Sequence, residues 1–441
     1  MLIERLSLVH GWLPLVIQVV TVAALVRAIG WRSRRWRLVR IPLISVFGAL
    51  TAIVAHWYLG FSGIASEPAP WQLWLWTALS GIAVATVVAG WRRARWTRRN
   101  LSVFAASFCL LCSGLAVNSW LGYFSTVSAA WNQLAARPLP DQVDRATLAQ
   151  MRRSTVRPVT GALVAVTISA GPSGFGHREE FVYLPPAWFA GAAPPQLPTV
   201  MMIGGEFNTP ADWVRVGDAV STLDGFAAAH GGNAPVAVFV DATGSFDNDT
   251  ECVNGPRGQA ADHLIKDVVP YMITNFGVSA SRAHWGVTGF SSGGTCAADL
   301  TAMHPDVFGA FIDIAGDIGP NAGTRAQTVE RLYGGNLAAW SAFDPRTVIT
   351  RHGRYTDVSG VFVVNATDLS PRADQFNRYG QAAHSLCALG KANGINCSVV
   401  VLPGRHIWPF ASTAFTITLP WLAGELNTPG AARAALPKPR Q

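Results

Sequence analysis

Residues 284–300 read HWGVTGFSSGGTCAADL, and this stretch decides the fold. An apolar run ending at Phe290 leads into a G-x-S-x-G pattern at residues 289–293, and a helix-forming run follows. A strand, sharp turn and helix in this order present a nucleophile at the turn, and the two glycines let the backbones approach closely. We therefore predict Ser291 as a nucleophile. Ser292 has no glycine two positions before it, so we predict that it supplies its backbone N–H to an oxyanion hole.

The partners of such a serine follow it along the chain, first an acid and then a histidine. The last predicted strand, CSVVVLPG at 397–404, leads into His406, which we predict as the general base. The preceding predicted strand, GVFVVNA at 360–366, is followed by Asp368 at its end and by Asp374 at the start of the next helix. Asp368 is the predicted acid, and Asp374 is the alternative.

A second oxyanion donor is expected after an early central strand. Residues 201–207 read MMIGGEF, which is a strand followed by a glycine loop. We predict the backbone N–H of Glu206 as this donor, with that of Phe207 as the fallback. The carboxylate of Glu206 is predicted to be structural.

Around these motifs, short apolar strands alternate with helices of about 10 to 20 residues, which predicts a mostly parallel, doubly wound sheet. We therefore predict an α/β-hydrolase domain at residues 158–426. Residues 125–157 are predicted as a linker and connecting helix, and residues 427–441 as a flexible tail rich in Pro and Ala. The predicted strands are GALVAVTIS, EFVYLPP, PTVMMIGG, APVAVFVDA, AHWGVTGF, AFIDIAG, GVFVVNA and CSVVVLPG. The predicted helices lie near residues 210–230, 258–276, 293–304, 326–333 and 372–393.

The first 124 residues have a different composition. Each of their four apolar runs is long enough for the roughly 20 residues that cross a bilayer, and a cleaved signal peptide would be one short run. We predict an all-α domain of four transmembrane helices, at about 10–29, 41–62, 71–90 and 101–124.

Arginine placement predicts the orientation of these helices. The loops at 31–40 and 91–100 carry five arginines each, whereas the loop around 63–70 carries none. Because basic loops stay in the cytoplasm, we predict a multi-pass plasma-membrane protein whose domain after residue 124 is extracytoplasmic.

Cysteine usage agrees with that orientation. Four of the six cysteines, Cys252, Cys296, Cys387 and Cys397, lie in the predicted outer domain, and an even number in an oxidising compartment favours disulfides. Four cysteines allow three pairings. A local Cys387–Cys397 bridge would leave Cys252 with Cys296 by elimination, and four buried free thiols remain the alternative.

A family resemblance rests on FVYLPPAW (181–188), Gly204-Gly205, GFSSGG (289–294) and RHIWPF (405–410). Over roughly residues 160–425 the chain resembles the esterase D and antigen 85 group of α/β hydrolases, which includes extracellular mycolyltransferases. The resemblance implies acyl-ester chemistry by a serine triad. Antigen 85 proteins hold trehalose with an Asp and an Arg at positions matched here by Gly204 and Phe207, and their acid is a Glu placed later than Asp368.

Other function classes fit the sequence less well. The basic excess sits in two short membrane-edge loops, which does not suggest a nucleic-acid partner, and the predicted spans contain no Asp, Glu or Lys of the kind a transport path uses. The acidic run Asp241, Asp247, Asp249 and Glu251 lacks calcium-loop spacing, so we predict a solvated loop, no metal and no cofactor.

The sequence thus predicts a membrane-anchored serine esterase or acyltransferase that acts on a lipid or other acyl ester, with the cell envelope as its site of action. The alternative is a non-catalytic hydrolase-fold protein that binds an envelope lipid or glycan. No residue of the predicted triad is replaced, which favours the enzyme.

Overall fold

Two compact units make up the chain, Met1–Arg137 and Pro138–Gln441. The computed structural model describes residues 6–30, 33–62, 69–93, 95–135, 138–154, 156–191, 193–366 and 377–437. The first unit is built of helices, and the second carries the β-sheet.

Four helices of the first unit are long and apolar enough to cross a membrane. The second and third have the predicted bounds, whereas the fourth begins at Trp96, before the predicted start, because residues 96–100 contain no Pro or Gly and continue the helix. The helices of this unit are α1 (Trp12–Ile29), α2 (Ile41–Ser62), α3 (Trp71–Gly90), α4 (Trp96–Leu121) and the short α5 (Val127–Leu134).

Small and weakly polar residues bring these helices together. A Cβ atom on Gly81 of α3 would lie 2.6 Å from Thr51 Oγ1 and 3.0 Å from the Cα of Gly48, so α2 and α3 pack backbone against backbone. Between α3 and α4, the hydroxyls of Ser80 and Ser113 lie 2.9 Å apart. Close packing and hydrogen bonds replace the hydrophobic effect as the attraction between helices in lipid.

The second unit contains a nine-stranded sheet in the order β1-β2-β3-β5-β4-β8-β9-β10-β11, in which only β3 runs antiparallel to its neighbours. This confirms the predicted α/β-hydrolase fold. The strands are β1 (Gln142–Val143), β2 (Ala162–Val166), β3 (Glu180–Leu184), β4 (Thr199–Ile203), β5 (Val236–Val240), β8 (Trp285–Phe290), β9 (Ala310–Ile314), β10 (Ser359–Ala366) and β11 (Asn396–Pro403), with a separate hairpin of β6 (Asn254–Gly255) and β7 (Gly258–Gln259).

Helices cover the sheet in two groups. Helix α8 (Ala219–Ala229) packs against α16 (Trp408–Glu425), whereas α14 (Pro345–His352) packs against both α11 (Ser292–Met303) and α15 (Arg378–Ala392). The central strands β4, β5, β8 and β9 are buried at every residue, as expected of parallel strands covered on both faces. The helices are α6 (Arg145–Arg153), α7 (Asp212–Arg215), α8 (Ala219–Ala229), α9 (Ala260–Asp262), α10 (Val269–Phe276), α11 (Ser292–Met303), α12 (Arg325–Tyr333), α13 (Leu337–Phe343), α14 (Pro345–His352), α15 (Arg378–Ala392) and α16 (Trp408–Glu425).

Some elements differ from the sequence prediction. The connecting helix predicted within residues 125–157 is preceded by the edge strand β1, and Asp144 caps the shorter α6 by accepting a hydrogen bond from the Thr147 N–H. Helices α13, α14 and α16 were not predicted. In the stretch predicted as a flexible tail, Thr428 is buried and Arg433 pairs with Glu425, so the described part of that stretch packs on the sheet unit.

Candidate active site

Ser291 lies at the turn between β8 and α11, in a backbone conformation that non-glycine residues rarely adopt, with φ 59° and ψ −125°. Its backbone N–H donates to the Ile314 carbonyl of β9 at 2.9 Å, which fixes the turn to the next strand. A Cβ atom on Gly289 would overlap the Gly293 carbonyl, and one on Gly293 would overlap the carbonyls of Ile203 and Gly204, at the end of β4 and just after it. Both glycines are therefore needed for this turn.

His406 lies next to this serine. Its Nε2 is 2.9 Å from Ser291 Oγ, although 115 residues separate the two along the chain. The imidazole ring lies between Phe290, at a centroid distance of 4.8 Å, and Tyr379, which stacks on it at 4.6 Å with the planes 16° apart. These two rings restrict the rotation of the imidazole, and no motif in the sequence pointed to Tyr379.

The predicted acids, Asp368 and Asp374, both lie outside the described residues. The backbone on either side of them is described, and on one side it contacts the loop that leads from β11 to His406. The Gly404 N–H donates to the Ala366 carbonyl at 3.0 Å, and the Asn377 amide donates to the Asn365 carbonyl at 2.7 Å. The described residues on either side of Asp368 and Asp374, Ala366 and Asn377, thus lie at the carboxyl edge of β10.

The loop after β4 approaches the serine closely. A Cβ atom on Gly205 would lie 2.9 Å from the Cβ of Ser291. The Gly205 N–H already donates to Asn208 Oδ1 at 2.8 Å, so the next N–H along, that of Glu206, is the nearer candidate for an oxyanion donor. Ser292 directly follows the predicted nucleophile and begins α11, and the first N–H groups of a helix have no carbonyl partner within the helix.

Comparison with known families decides the class of this site. The family model described as "Putative esterase" matches residues 176–408, more than half of the chain. The chain belongs to this esterase family. The resemblance predicted from sequence is therefore confirmed, and the esterase is a carboxylic-ester hydrolase or acyltransferase.

Several known proteins are similar to the esterase. An uncharacterized protein from Corynebacterium glutamicum is 28% identical over 371 residues, which cover 81% of this chain and 82% of the relative. A solved ferulic acid esterase is 16% identical, with a TM-score of 0.46, and covers 60% of this chain and 99% of its own. The S-formylglutathione hydrolase from Agrobacterium tumefaciens is 17% identical, with a TM-score of 0.49, over 62% and 99%. MPT51 from Mycobacterium tuberculosis is 18% identical, with a TM-score of 0.41, over 59% and 100%.

Two disulfides hold the surroundings of the site. Cys252 is bonded to Cys296, which joins the loop after β5 to α11, and Cys387 is bonded to Cys397, which joins α15 to β11. These are the two pairings favoured from the sequence. Both bridges lie in segments that lead to or from residues of the site.

The acidic loop of the esterase differs from the solvated loop that was predicted. Asp241, Asp249 and Glu251 are buried, and only Asp247 is exposed. Burial, with repulsion from Asp249, Asp317 and Glu206, raises the pKa of Glu251 well above its usual range. The four side chains do not act as one group, because Asp241 pairs with Arg178 and Asp247 accepts a hydrogen bond from the Ser245 hydroxyl.

A buried imidazole cluster was also not predicted. His177, Glu180 and His263 bring possible metal-ligand atoms within 4.8 Å of one another. The two rings stack at 4.3 Å with their planes 24° apart, so their in-plane lone pairs run nearly parallel and do not converge on one ion. The nitrogens of His263 contact Asp267 at 3.0 Å and Glu180 at 3.1 Å, and those of His177 contact backbone carbonyls. We interpret the cluster as a hydrogen-bonded part of the core.

Proposed function

We propose that this chain is a membrane-anchored serine esterase or acyltransferase, with a catalytic unit outside the cytoplasm that acts on acyl esters of cell-envelope lipids. The observation that carries the chemistry is the 2.9 Å approach of His406 Nε2 to Ser291 Oγ at a strained strand-to-helix turn. Family membership supports the same reaction class.

In the proposed reaction, Ser291 Oγ attacks the acyl carbonyl carbon while His406 Nε2 takes the hydroxyl proton. The backbone N–H groups of Ser292 and Glu206 stabilise the oxyanion of the tetrahedral intermediate. His406 returns the proton to the departing alcohol oxygen, which leaves an acyl ester on Ser291. Water or an acceptor hydroxyl then attacks this ester, with His406 again as the base, and restores the free serine.

The acid of the proposed triad is Asp368, with Asp374 as the alternative. It orients His406 by accepting a hydrogen bond from Nδ1–H and stabilises the imidazolium that forms. The closeness of Ala366 to Gly404 supports an acid from the segment after β10.

A lipid-derived substrate is supported by two features. Four helices suited to a bilayer would keep the enzyme at a lipid surface. Beside the glycine loop, the rings of Phe207 and Phe246 lie 5.4 Å apart, and Phe246 is 58% exposed, which offers an apolar surface to an acyl chain.

The test of the chemistry is labelling of the full-length, detergent-solubilised protein with a serine-directed fluorophosphonate, followed by identification of the modified peptide. We expect a single adduct on Ser291, no adduct in Ser291→Ala, and retained labelling in Ser292→Ala. An adduct on Ser292, or labelling that persists in Ser291→Ala, would show that the nucleophile is wrongly assigned.

The proposed sidedness is tested in intact cells with a membrane-impermeant thiol reagent on single-cysteine substitutions. Arg34→Cys and Arg95→Cys should be protected, and Val159→Cys, at a residue that is 92% exposed, should react. Protection of residue 159 together with reaction at residue 34 would reverse the orientation.

A further inference from the structure

An ion pair between Arg178 and Asp241 lies next to the loop that follows β4. Arg178, just before β3, donates from its backbone N–H at 2.7 Å and from Nε at 2.9 Å to Oδ2 of Asp241, and from Nη2 at 2.6 Å to Oδ1. Asp241 is 1% exposed and lies directly after β5. Burial alone would raise the pKa of Asp241, but the hydrogen bonds and charge of Arg178 outweigh burial and lower it. These hydrogen bonds therefore hold the Asp241 carboxyl group and the Arg178 guanidinium together.

The same guanidinium reaches the glycine loop. Arg178 Nη2 donates to the Asn208 carbonyl at 2.9 Å, and Asn208 Oδ1 accepts the Gly205 N–H at 2.8 Å. The Asn208 N–H donates back to the Gly205 carbonyl at 3.2 Å. Gly205 precedes Glu206, so the direction of the Glu206 N–H depends on a peptide held by this relay.

We propose that Arg178 is a positioning residue that fixes the oxyanion loop through Asn208, which rests on the proposed function of Ser291 and Glu206. Arg178 acts on the reaction only through the loop backbone. Its effect falls on the transition state, because a displaced N–H donor still allows the ester to bind but stabilises the oxyanion poorly.

The geometry requires arginine rather than any cation. The guanidinium donates from Nε to Oδ2 of Asp241, and the two N–H groups of Nη2 are shared among Asp241 Oδ1, the Asn208 carbonyl and, at 2.6 Å, Thr243 Oγ1. A lysine ammonium is a single point with three donors and cannot hold these acceptors at their present spacing. Arg178→Lys therefore keeps the charge that Asp241 needs and loses the fork.

The experiment compares Arg178→Lys and Asn208→Ala with a matched control, Arg282→Lys, in the full-length protein. Arg282 has a similar exposure, 32% against 26% for Arg178, and also donates to a carbonyl and a carboxylate, but it lies away from the glycine loop. For each variant we would measure kcat and KM for a short-chain aryl ester. We would also measure the affinity for a trifluoromethyl ketone, which binds as a tetrahedral oxyanion, and the midpoint of thermal unfolding.

We expect Arg178→Lys and Asn208→Ala to lower kcat by about tenfold to a hundredfold with KM nearly unchanged, and to weaken trifluoromethyl ketone binding by a similar factor. Arg282→Lys should leave kcat, KM and the affinity for the trifluoromethyl ketone unchanged. If Arg178→Lys does not fold, Asn208→Ala carries the test, because it breaks the relay without touching the ion pair.

A change confined to KM, or to the amount of folded enzyme, would overturn the positioning role. If wild type is labelled at Ser291 and Ser291→Ala is inactive, but kcat is normal in Asn208→Ala, this inference fails alone. Absence of an adduct on Ser291 in wild type would instead overturn the proposed function and the inference with it.

Discussion

The two units solve the problem of burial in opposite ways. Helices α1 to α4 direct large apolar side chains such as Leu15, Val26 and Leu43 outward, and their own contacts use glycine, serine and threonine. The sheet unit buries its large apolar side chains, with Trp213, Trp285 and Trp408 almost fully enclosed. It also buries charged groups such as Asp241 and Glu180, which the described parts of the four helices do not. Among the described residues, charged side chains are therefore buried in the second unit, where partners within the protein replace their contacts with water.

The contrast would break most visibly if catalysis depended on the helices. We expect Ser291→Ala to lower ester turnover by about 10⁴- to 10⁶-fold, because the nucleophile is lost. The matched change in the first, helical unit is Ser80→Ala, which removes a hydroxyl bonded to Ser113. Its kcat on a soluble aryl ester should equal that of wild type. Equal losses in both variants would show that the units cooperate in the chemistry.

A second measurement sharpens the assignment of the acid within the sheet unit. Asp368→Asn should lower turnover by about 10⁴-fold through a misoriented His406, whereas Asp374→Asn should lower it by less than about tenfold. Steady-state kinetics on both variants, with thermal unfolding to verify folding, provides the comparison. The reverse ranking would make Asp374 the acid, closer to the later acid of the antigen 85 pattern.

A residue or element can be predicted from the sequence when the pattern that marks it lies in neighbouring residues. Ser291 and His406, which the structure brings together, could be predicted because each follows a strand with a clear apolar pattern and the order of the triad residues along the chain is fixed. Helix α16 was missed because Pro409 and Pro420 lie within it and it is buried on several faces, which removes the amphipathic period of a surface helix.

The relay of Arg178 could not be predicted at all. It joins Arg178 to Asn208 and Asp241, residues 30 and 63 positions away, and no periodicity links them. Similarly, Glu251 reads as part of a polar loop but is buried, since burial of an acidic side chain is decided by tertiary packing. The choice between Asp368 and Asp374 also depends on how one loop folds.

A third prediction tests the packing of the first, helical unit. Gly81→Ala should destabilise the helix bundle by about 1–3 kcal/mol, because its Cβ would meet Thr51 and the backbone of Gly48. Gly114→Ala is the matched control, since nothing lies within 4 Å of a Cβ atom there. Denaturant titration in detergent, followed by tryptophan fluorescence, compares the two. Similar stability of both variants would argue against the close α2–α3 contact.

The smallest expected effect concerns pH and the charges buried in the sheet unit. Burial alone would lower the pKa of His263, but hydrogen bonds and charge from Glu180 and Asp267 outweigh burial and raise it above 6.5. The resulting stabilisation is complete below pH 6.5 and is lost as pH rises through the pKa of the folded state, at about 1.4 kcal/mol per unit of pKa difference.

We therefore expect the free energy of unfolding of the sheet unit to fall as pH rises above 6.5, and this slope to be weaker in His263→Gln. Denaturant titrations at a series of pH values measure the slope. His284→Gln is a useful control, because His284 contacts the Ser279 hydroxyl rather than a carboxylate. A slope that is the same in His263→Gln would assign the pH dependence to other groups.

The order of the strands along the chain also determines when each part of the candidate site is synthesised. Strand β4 needs β8 as a neighbour, the turn at Ser291 needs the Ile314 carbonyl, and His406 leaves the ribosome 115 residues after Ser291. At about 5–20 residues per second, the serine waits for its base for roughly 6–23 s. In the proposed mechanism, the nascent chain therefore carries Ser291 without its base during that interval and cannot form the acyl-enzyme before β11 and His406 are in place.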